Sequence, residues 1–597
     1  MRTHWCGELR KQHEGQSVTL AGWVHKRRDH GGVIFLDLRD REGIAQVTMH
    51  PSEQPDAYKV AEDVRSEYVV VVEGTVRSRP PGAENPNIPT GEIEVTGSSI
   101  KVLAKSETPP FPIDGRVDVG EEVRLKYRYL DLRRPETQAR IILRHKVVAA
   151  IRRFLDAEGF IDIETPLLSK STPEGARDYL VPSRLYPGKF YALLQSPQLF
   201  KQLLMISGFD RYYQIVRCFR DEDPRADRQA DFTQLDLEMS FVDQEDVLGL
   251  VERLIVGVLK EAMDIDVSAP FDRLTFDESM ARYGIDRPDR RFGLGLVDLT
   301  DVFRDTQINV FRGSIDKGGI VKGITVPGAE SMSRKELDAL VAVAKSAGAA
   351  GLAWVGFTDE GISSPLSKFM TDQEITDLKS ASEAASGDLV LIAADIASVA
   401  EPALGALRNH LGASLGLIEA ADRTAPGYWQ PVWVVDMPLV EFNEREQRWD
   451  SVHHPFTSPA TQDLELLDSD PGKVKAKAYD LTLHGIEIAG GSIRIHDPAL
   501  QRKIFALIGL DEETVQQRFG WFVEAFDYGA PPHGGIASGI ERLLMALTDT
   551  DNIRDVMAFP KTSMMTDLLT GAPDAVDEKQ LNELGIKIVV DKKQDPN

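Results

Sequence analysis

A proline-rich stretch early in the chain constrains its fold more than any other feature. The sequence TPPFPIDG at residues 108–115 places three prolines within four residues. Proline fixes its own backbone angle and donates no hydrogen bond, so neither a helix nor a central strand is expected to continue through this stretch. With 597 residues, the chain is also too long for one hydrophobic core. We therefore expect about three or four domains, with the first boundary here.

The segment before the prolines predicts a small β-barrel. Runs of β-branched and apolar residues alternate there with turn signals such as Asp-His-Gly-Gly at residues 29–32. These runs lie at residues 18–24, 33–38, 44–49, 68–76 and 92–95. Five strands in about 100 residues fit an OB-fold, a barrel whose strand face and loops commonly bind oligonucleotides.

The part of the chain behind the prolines predicts a multidomain α+β protein. An apolar series from Leu143 to Leu155 recurs at helical spacing, and Gly159 is expected to end that helix before a strand at residues 160–163. Further on, an alanine-rich helical segment and strand-like runs at 352–357 and 389–393 predict an inserted α+β domain. The expected divisions are a barrel domain (1–105), a linker (106–125), a second domain in two parts (126–287 and 426–558), the insertion between them (288–425) and a peripheral C-terminal extension (559–597).

Composition and charge exclude several classes of protein. The net charge of −25 argues against general nucleic-acid affinity, although binding depends on local clusters of Lys and Arg. The N-terminus lacks the apolar core of a signal peptide, and no window offers about 18 uncharged apolar residues to span a bilayer. The two cysteines, Cys6 and Cys218, lie far apart and suggest neither a disulfide framework nor a zinc site. We expect a cytoplasmic protein without a membrane partner.

An arginine-rich strand–loop–strand at residues 212–238 is the first segment with chemical character. Its loop carries Arg228 and Gln229, and its second strand alternates Asp236 and Glu238 with apolar residues. A polar face on such an apolar strand faces either water or a ligand. Arginine beside an aromatic ring and acidic groups suits a nucleotide, whereas a solvated hairpin is the commoner explanation of a charged loop.

Two glycine-containing segments follow nearer the C-terminus. GIEIAGGSIR at residues 485–494 comes after Asp480, and the carboxylates of Asp480 and Glu487 could hold Mg²⁺, which prefers hard oxygen ligands. Taken alone, this segment is more simply an edge hairpin. PPHGGIASGIER at residues 531–542 leads into a helix whose first turn carries Arg542, and it matches neither a Walker loop nor a dinucleotide-binding fingerprint.

Three segments, in this order along the chain, resemble the three signature motifs of class II aminoacyl-tRNA synthetases. The first ends at Pro166, the second includes residues 219–222, and the third includes residues 539–542. Longer runs resemble aspartyl-tRNA synthetases of the bacterial type. They are YRYLDLRRP at 127–135, TPEGARDYL at 172–180, QSPQLFK at 195–201 and HHPFTSP at 453–459. The resemblance covers nearly the whole chain, including the insertion. It implies an OB-fold that binds the anticodon and a catalytic domain built on an antiparallel sheet.

The implied reaction is ATP-dependent activation of L-aspartate as aspartyl-adenylate, followed by transfer to tRNA(Asp), with Mg²⁺ as cofactor and a homodimer as the assembly. ATP contacts are implied for Arg220, Asp221, Glu222, Gln229, Phe232, Glu487, Gly539, Ile540, Glu541 and Arg542. Arg220 and Arg542 correspond to the catalytic arginines on the α- and γ-phosphates, and Asp480 and Glu487 to the magnesium carboxylates. Aspartate contacts are implied for Glu174, Gln198, Lys201, Arg220, Asp236, His453 and Arg494.

Specificity for tRNA is implied for the barrel. Anticodon contacts correspond to Arg28, Phe35, Gln46, Arg77, Arg79 and Glu94, a set that combines cations, a stacking ring and groups able to read base edges. His30 and Gly82 resemble the relaxed form of the family, which also charges tRNA(Asn) and depends on an amidotransferase that converts Asp-tRNA(Asn). The simpler explanation of His30 is a turn residue.

Three alternatives stay open at this point. Lysyl- and asparaginyl-tRNA synthetases share the same plan, so fold alone does not decide the amino acid. The chain is otherwise a strictly discriminating aspartyl-tRNA synthetase or a non-catalytic tRNA-binding relative. The pair Arg494 and Lys201 favours an anionic amino-acid side chain, and the complete set of motif arginines argues against lost catalysis.

Overall fold

The computed structural model describes residues 1–115, 117–171, 176–223, 225–418, 422–423, 425 and 427–589. Its contacts divide the chain into two compact units. One comprises Met1–Ala139 with Asp567–Ala572, and the other comprises Arg140–Thr566 with the chain from Pro573. The finer domain boundaries given above stay predictions. No helix among the described residues is long and apolar enough to cross a membrane.

The first unit contains the predicted five-stranded barrel, which is closed. Its elements are β1 (Ser17–His30), β2 (Val33–Arg39), β3 (Ile44–Met49), α1 (Pro55–Asp63), β4 (Val69–Ser78) and β5 (Ile93–Ala104). The strand order around the barrel is β1-β2-β3-β5-β4, in which only the β3–β5 pair is parallel. Alternate valine, leucine and isoleucine side chains of all five strands fill its core. The sequence patterns did not predict helix α1.

Strand β1 runs beyond its predicted end at Val24, as far as His30. Past a bulge between Val24 and Lys26, it pairs with β2, and this pairing places Arg28 opposite Phe35. Backbone hydrogen bonds of the hairpin therefore extend a strand whose own side chains are charged and exposed.

The elements between the barrel and the insertion, in chain order, are α2 (Glu121–Lys126), α3 (Arg128–Asp131), α4 (Pro135–Ala157), β6 (Ile161–Asp162), β7 (Leu168–Ser169), β8 (Leu180–Pro182), β9 (Phe190–Leu193), α5 (Gln198–Ile206), β10 (Arg211–Phe219), β11 (Asp231–Ser240), α6 (Gln244–Met263), β12 (Asp272–Thr275) and α7 (Phe276–Tyr283). The predicted helix and its stop at Gly159 are present. The strand expected at residues 160–163 is shorter, since only two residues of it pair with β10.

The insertion has its own five-stranded sheet, in the order β13-β14-β17-β15-β16. Its elements are β13 (Leu296–Asp298), α8 (Asn309–Ile315), β14 (Ile320–Val326), α9 (Arg334–Ser346), β15 (Ala353–Thr358), β16 (Gly361–Ser363), α10 (Asp372–Ala381), β17 (Leu389–Asp395) and α11 (Ala397–Ser414). Helices pack on both faces of this sheet, in two separate hydrophobic clusters. An α+β character was predicted for this segment.

The remaining elements are β18 (Val432–Val435), β19 (Val440–Asn443), β20 (Arg448–Ser451), α12 (Leu466–Ser469), β21 (Ala478–Leu483), β22 (Ile486–Ile493), α13 (Pro498–Leu507), α14 (Glu512–Phe526), β23 (His533–Gly539), α15 (Ile540–Thr548) and α16 (Glu578–Leu584). Several of them complete an eight-stranded sheet in the order β12-β18-β21-β22-β23-β11-β10-β6. Its central strands are antiparallel, and only the pair at each edge is parallel.

The two faces of this large sheet differ in character. Helices α4, α6 and α15 cover one face and form the largest hydrophobic core of the protein with it. Because side chains alternate along a strand, β11 points Leu235, Leu237 and Met239 into that core. Its intervening polar residues are equally buried but lie on the opposite face, where the functional site is found.

Candidate active site

A cavity of about 440 Å³ lies on the polar face of the large sheet. Strands β11, β22 and β23 form its floor, and helices α5 and α15 contribute to its walls. Its lining combines arginine, lysine, carboxylate, amide and histidine side chains with glycine backbone. Such convergence of polar groups in one concave place is typical of a ligand site.

One end of the cavity is built on four buried charges, two cations and two carboxylates, which we call the charge quartet: Lys201, Asp236, Glu238 and Arg494. Lys201 Nζ lies 3.1 Å from Asp236 Oδ1 and 3.4 Å from Glu238 Oε2. Arg494 grips Glu238 with two hydrogen bonds, 2.9 Å from Nε to Oε1 and 3.1 Å from Nη2 to Oε2. Buried charges persist only when paired in this way.

The quartet sets the protonation of its carboxylates. Burial raises the pKa of Glu238, but attraction to Arg494 and Lys201 outweighs it, so the net pKa lies below the usual range. For Asp236 the balance is reversed, because burial raises its pKa more than Lys201 lowers it. Burial lowers the pKa of Arg494, but attraction to Glu238 raises it by more. The net pKa therefore lies above the usual value, and the guanidinium stays charged.

Two polar atoms, one within the quartet and one beside it, lack hydrogen-bond partners among the described residues. Asp236 Oδ2 and Gln198 Nε2 are both buried and make no hydrogen bond within the described part of the chain. Leaving such groups unpaired costs free energy unless a ligand satisfies them. One is an acceptor and the other a donor, so together they suit the ammonium and carboxylate of an amino acid.

Two histidines close this end of the cavity without adding charge. Burial, helped by Arg494, lowers the pKa of His453 to about 4 and that of His454 well below its usual range. His454 Nε2 lies 2.8 Å from Arg494 Nη1, and since a guanidinium only donates, this nitrogen accepts. Both rings are therefore neutral near pH 7, and the cations here are Lys201 and Arg494.

The other end of the cavity carries cations suited to phosphate. Arg220 lies over the ring of Phe232, 5.0 Å from its centroid, and pairs with no carboxylate among the described residues. Arg542, in the first turn of α15, lies 3.3 Å from Glu487 and 3.2 Å from Asp227. A guanidinium beside an aromatic face, with a second guanidinium farther along, suits a nucleoside polyphosphate.

Comparison with known proteins identifies the family. A family model described as tRNA synthetases class II (D, K and N) matches residues 120–563, and an OB-fold nucleic acid binding domain model matches residues 18–103. The chain belongs to the class II tRNA synthetases. Proteins named aspartate–tRNA(Asp/Asn) ligase are close relatives of this synthetase. The one from Caldanaerobacter subterraneus subsp. tengcongensis is 55% identical over 98% of both chains, and the one from Geotalea uraniireducens is 54% identical over 99% of this chain and 98% of its own.

Solved structures agree on the fold of this synthetase. An asparaginyl-tRNA synthetase from Pyrococcus horikoshii, crystallised with asparaginyl-adenylate, matches with a TM-score of 0.59 and 20% identity. The match covers 94% of this chain and 98% of that one. At this identity the likeness concerns the fold alone, and it confirms the predicted fold class.

Most residues assigned from the sequence meet in the one cavity. The structure places there Gln198, Lys201, Arg220, Glu222, Gln229, Phe232, Asp236, His453, Asp480, Glu487, Arg494, Gly539, Glu541 and Arg542. Their individual contacts with substrates stay predictions. Glu174 lies outside the described residues.

Three residues of the predicted nucleotide site have other roles in the synthetase. Asp221 does not line the cavity, and its half-exposed side chain lies 3.6 Å from Arg177. Ile540 is fully buried in the core beneath the sheet. Glu541 reaches the cavity, but Arg144 and the Thr233 amide already bind its carboxylate oxygens, at 2.8 and 3.0 Å.

The carboxylates of Asp480 and Glu487 lie close together and suit a divalent cation. Burial, and then repulsion from Glu487, raises the pKa of Asp480 well above its usual range, and its Oδ1 has no hydrogen-bond partner within the described residues. A Cβ on Gly490 would lie 2.7 Å from that oxygen and 3.3 Å from Glu487 Oε1, so only glycine leaves space beside both carboxylates. No third acidic, cysteine or histidine ligand joins them among the described residues. Two carboxylates with phosphate and water suit Mg²⁺.

A shift in strand register brings these two carboxylates together. Asp480 pairs with Gly490, but between the pairs Leu481–Ala489 and Thr482–Glu487 the register of β21 and β22 slips by one residue. Such a bulge moves the following side chain to the other face of the sheet. Glu487 thus shares a face with Asp480, which regular alternation would not allow.

In the barrel, four of the six residues assigned to the anticodon form one hydrogen-bonded row. Arg28 donates to Gln46 at 3.1 Å, and Gln46 donates to Glu94 at 2.8 Å. Arg77 donates to the other oxygen of Glu94 at 2.8 Å. Partly buried Phe35 lies opposite Arg28 in the strand pairing, and Arg79 donates to the carbonyl of Ile93 at 2.9 Å. A ring flanked by orientated polar groups suits single-stranded RNA bases.

The two residues assigned to tRNA specificity are exposed in separate parts of the barrel. His30 ends β1 next to two glycines with positive φ, and it pairs with Val33 across the turn. Gly82 has φ +84 in the loop between β4 and β5, with no atom near the position of a Cβ. A larger residue at Gly82 would therefore meet conformational strain rather than a clash.

Sequence reasoning missed two residues at the end of the cavity that holds the charge quartet. Glu238 was recognised only as part of a polar strand face, and His454 only as the neighbour of His453. Each accepts a hydrogen bond from Arg494, and these bonds orient its guanidinium group. Period-two alternation with Asp236 was the signal that could have indicated Glu238.

The quartet predicts how Glu238→Gln should behave. Because Arg494 would lose its carboxylate inside the protein, we expect a loss of about 3 kcal/mol in stability and a raised KM for the amino acid. Glu252→Gln is the matched control, since Glu252 is also buried but binds the Trp433 indole at 3.0 Å, away from the cavity. Thermal unfolding and amino-acid-dependent kinetics measure both effects. Equal KM values in the two variants would contradict the orienting role of Glu238.

The raised pKa of Asp480 predicts a trade-off between stability and activity. An unfolded aspartate ionises near pH 3.9, so wild-type protein loses stability as pH rises from about 4 toward the higher folded pKa. Asp480→Asn removes this penalty, so at pH 7 we expect a higher melting temperature together with activity at least about 100-fold lower. Calorimetry measures the melting temperature, and ATP–pyrophosphate exchange measures the activity. A melting temperature at pH 7 below that of the wild type would be inconsistent with this account.

Proposed function

We propose that this chain attaches L-aspartate to tRNA(Asp) and tRNA(Asn) through an aspartyl-adenylate. One observation carries the proposal above all. A single cavity holds a buried cation pair, Lys201 and Arg494, at one end and the phosphate-type arginines Arg220 and Arg542 at the other. The first end fits an acidic amino acid and the second fits ATP. The relatives' printed name, aspartate–tRNA(Asp/Asn) ligase, agrees with this reading.

The reaction needs no nucleophile from the protein. An oxygen of the aspartate α-carboxylate attacks the α-phosphorus of ATP, a new P–O bond forms, and the bond to pyrophosphate breaks. Arg220 neutralises charge that builds on the α-phosphate, and Arg542 holds the γ-phosphate. A ribose hydroxyl at the tRNA end then attacks the activated carbonyl, and AMP leaves. The protein contributes orientation and fixed charge.

Selectivity for aspartate follows from the quartet. The side-chain carboxylate of aspartate would add a hydrogen-bonded anion between Lys201 and Arg494, while Asp236 Oδ2 accepts from the α-ammonium. The neutral amide of asparagine would meet these cations with an NH₂ group that cannot accept. A buried polar group left unpaired in this way is strongly rejected.

We extend the proposal to the cofactor and the assembly. Asp480 and Glu487 would hold Mg²⁺, which supplies charge neutralisation for the phosphates when bound. We also propose a homodimer, a cytoplasmic location and, for Asp-tRNA(Asn), an amidotransferase that completes the conversion to Asn-tRNA(Asn). Gel filtration at micromolar concentration tests the dimer.

Pyrophosphate exchange with each of the twenty amino acids tests the activity. We expect exchange with aspartate and at least about 10⁴-fold less with asparagine, because the site is built to pair a carboxylate. Exchange dependent on lysine or asparagine instead would reassign the enzyme within its family. Absence of exchange with any amino acid, together with retained tRNA binding, would favour a non-catalytic tRNA-binding protein.

Dual tRNA specificity is tested by charging purified tRNA(Asp) and tRNA(Asn) with labelled aspartate at one stated salt concentration. Wild-type protein is expected to charge both. Because His30 lies at the exposed end of β1, His30→Leu should lower kcat/KM for tRNA(Asn) by about tenfold and leave kcat/KM for tRNA(Asp) within about twofold. His410→Leu, at an exposed histidine of α11, is the matched control. Charging of tRNA(Asp) alone by the wild type would refute the relaxed specificity and keep the enzyme.

A further inference from the structure

Residues 561–566, which we call the 561–566 segment, lie against the nucleotide end of the cavity. The sequence patterns assigned them to a C-terminal extension, and in the structure the first residues of that extension lie at the cavity. Met565 lines the cavity itself, and Lys561 contacts the strand–loop–strand that carries Arg220 and Phe232. None of these contacts follows from the signature motifs, which end at Arg542.

The backbone of Lys561 fixes the side chain of Gln229. Gln229 Nε2 donates to the Lys561 carbonyl at 3.1 Å, and the Lys561 amide donates to Gln229 Oε1 at 2.9 Å. This reciprocal pair uses both ends of the amide and leaves it one orientation. Gln229 is buried and lines the cavity, so the segment decides how this side chain presents itself to a ligand.

The side chain of Lys561 makes a second attachment to the same loop. Its Nζ pairs with Asp231, the first residue of β11, and Asp231 also pairs with Arg217 of β10. Asp231 lies opposite Phe219 in the strand pairing and directly precedes Phe232. Lys561 thus anchors the loop where it returns to the sheet. This point is next to Phe232, whose ring lies beneath Arg220.

A tight turn then places Met565 at the cavity wall. The Thr562 amide donates to the Thr566 carbonyl at 2.8 Å, the Met565 amide donates to the Thr562 carbonyl at 3.0 Å, and the two threonine hydroxyls lie 2.7 Å apart. Met565 has φ +59, which lies in the left-handed region that residues other than glycine rarely adopt. A strained backbone held by surrounding hydrogen bonds at a ligand cavity points to a functional constraint.

We propose that the 561–566 segment is a positioning element for ATP, in which Lys561 orients the loop between β10 and β11 through Gln229 and Asp231, and Met565 forms part of the wall beside the nucleotide. The inference rests on the proposed function, because it assumes that this end of the cavity takes ATP. Lys561 acts through other residues and is a positioning residue. Among the described residues, the charge quartet shares no hydrogen bond or ion pair with the segment.

This arrangement predicts a change confined to the nucleotide. In Lys561→Met the ion pair with Asp231 is lost while an unbranched side chain of similar size is kept, so we expect KM for ATP to rise about fivefold, on the order of 1 kcal/mol. KM for aspartate should stay within about twofold, because a residue that acts on only one substrate should not change binding of the other. Lys503→Met is the matched control, since Lys503 also pairs with a carboxylate, Asp468 at 2.7 Å, but lies outside the cavity.

Met565→Gly separates function from folding. Glycine adopts φ +59 without strain, so the melting temperature should not fall, whereas the loss of the wall should raise KM for ATP about fivefold. A segment that serves only stability would give the opposite pattern, with a changed melting temperature and unchanged KM for ATP. That pattern in both Lys561→Met and Met565→Gly would overturn the proposal.

The measurements are steady-state pyrophosphate exchange and calorimetric titration of the full-length protein with ATP and Mg²⁺. If wild-type protein shows no aspartate-dependent exchange, the proposed function fails, and the titrations still decide whether the segment affects ATP affinity. If the wild type is active and both variants bind ATP as tightly as Lys503→Met does, the proposed function stands and the positioning role is refuted. Weaker ATP binding in both variants, with unchanged KM for aspartate, supports it.

Discussion

The charge quartet is the interaction on which the rest of the site depends. Two cations and two carboxylates can share a buried place only because each is paired, and the bidentate grip of Glu238 on Arg494 is the central contact. It holds Arg494 charged and fixed before any substrate arrives. The four charges of the quartet cancel in sum, and two orientated cations, Lys201 and Arg494, face the cavity.

The quartet can exist because the large sheet has two unlike faces. Helices cover one face with the largest apolar core of the protein, which makes the sheet rigid and fixes the register of β11, β22 and β23. The opposite face then carries Asp236 and Glu238 at alternate positions of β11, and the bulge in β22 brings Glu487 to the side of Asp480. The proposed sites for the amino acid and the nucleotide lie on neighbouring strands, so strand spacing sets the distance between them.

Part of the fold and of the site could be predicted because the signals are local. Runs of β-branched and apolar residues between turn signals marked the barrel strands, alternation marked the polar face of β11, and helical spacing marked α4. Helix α1 was missed because it is short, and the end of β1 was missed because backbone pairing with β2, not its exposed side chains, extends the strand. The motif residues Ile540 and Asp221 were assigned to the nucleotide from resemblance, yet neither side chain reaches the cavity.

The sequence by itself determined the family, the barrel, the insertion and most residue types of the site, because motif spacing and periodicity are properties of neighbouring residues. Only the tertiary structure decided which charges pair. Glu238 and Arg494 are far apart along the chain, and their contact depends on β11, β23 and β22 lying side by side. In the same way, a one-residue slip placed Glu487 with Asp480, and Lys561 met Gln229 across the fold. Such pairings depend on register and packing, which no local pattern encodes.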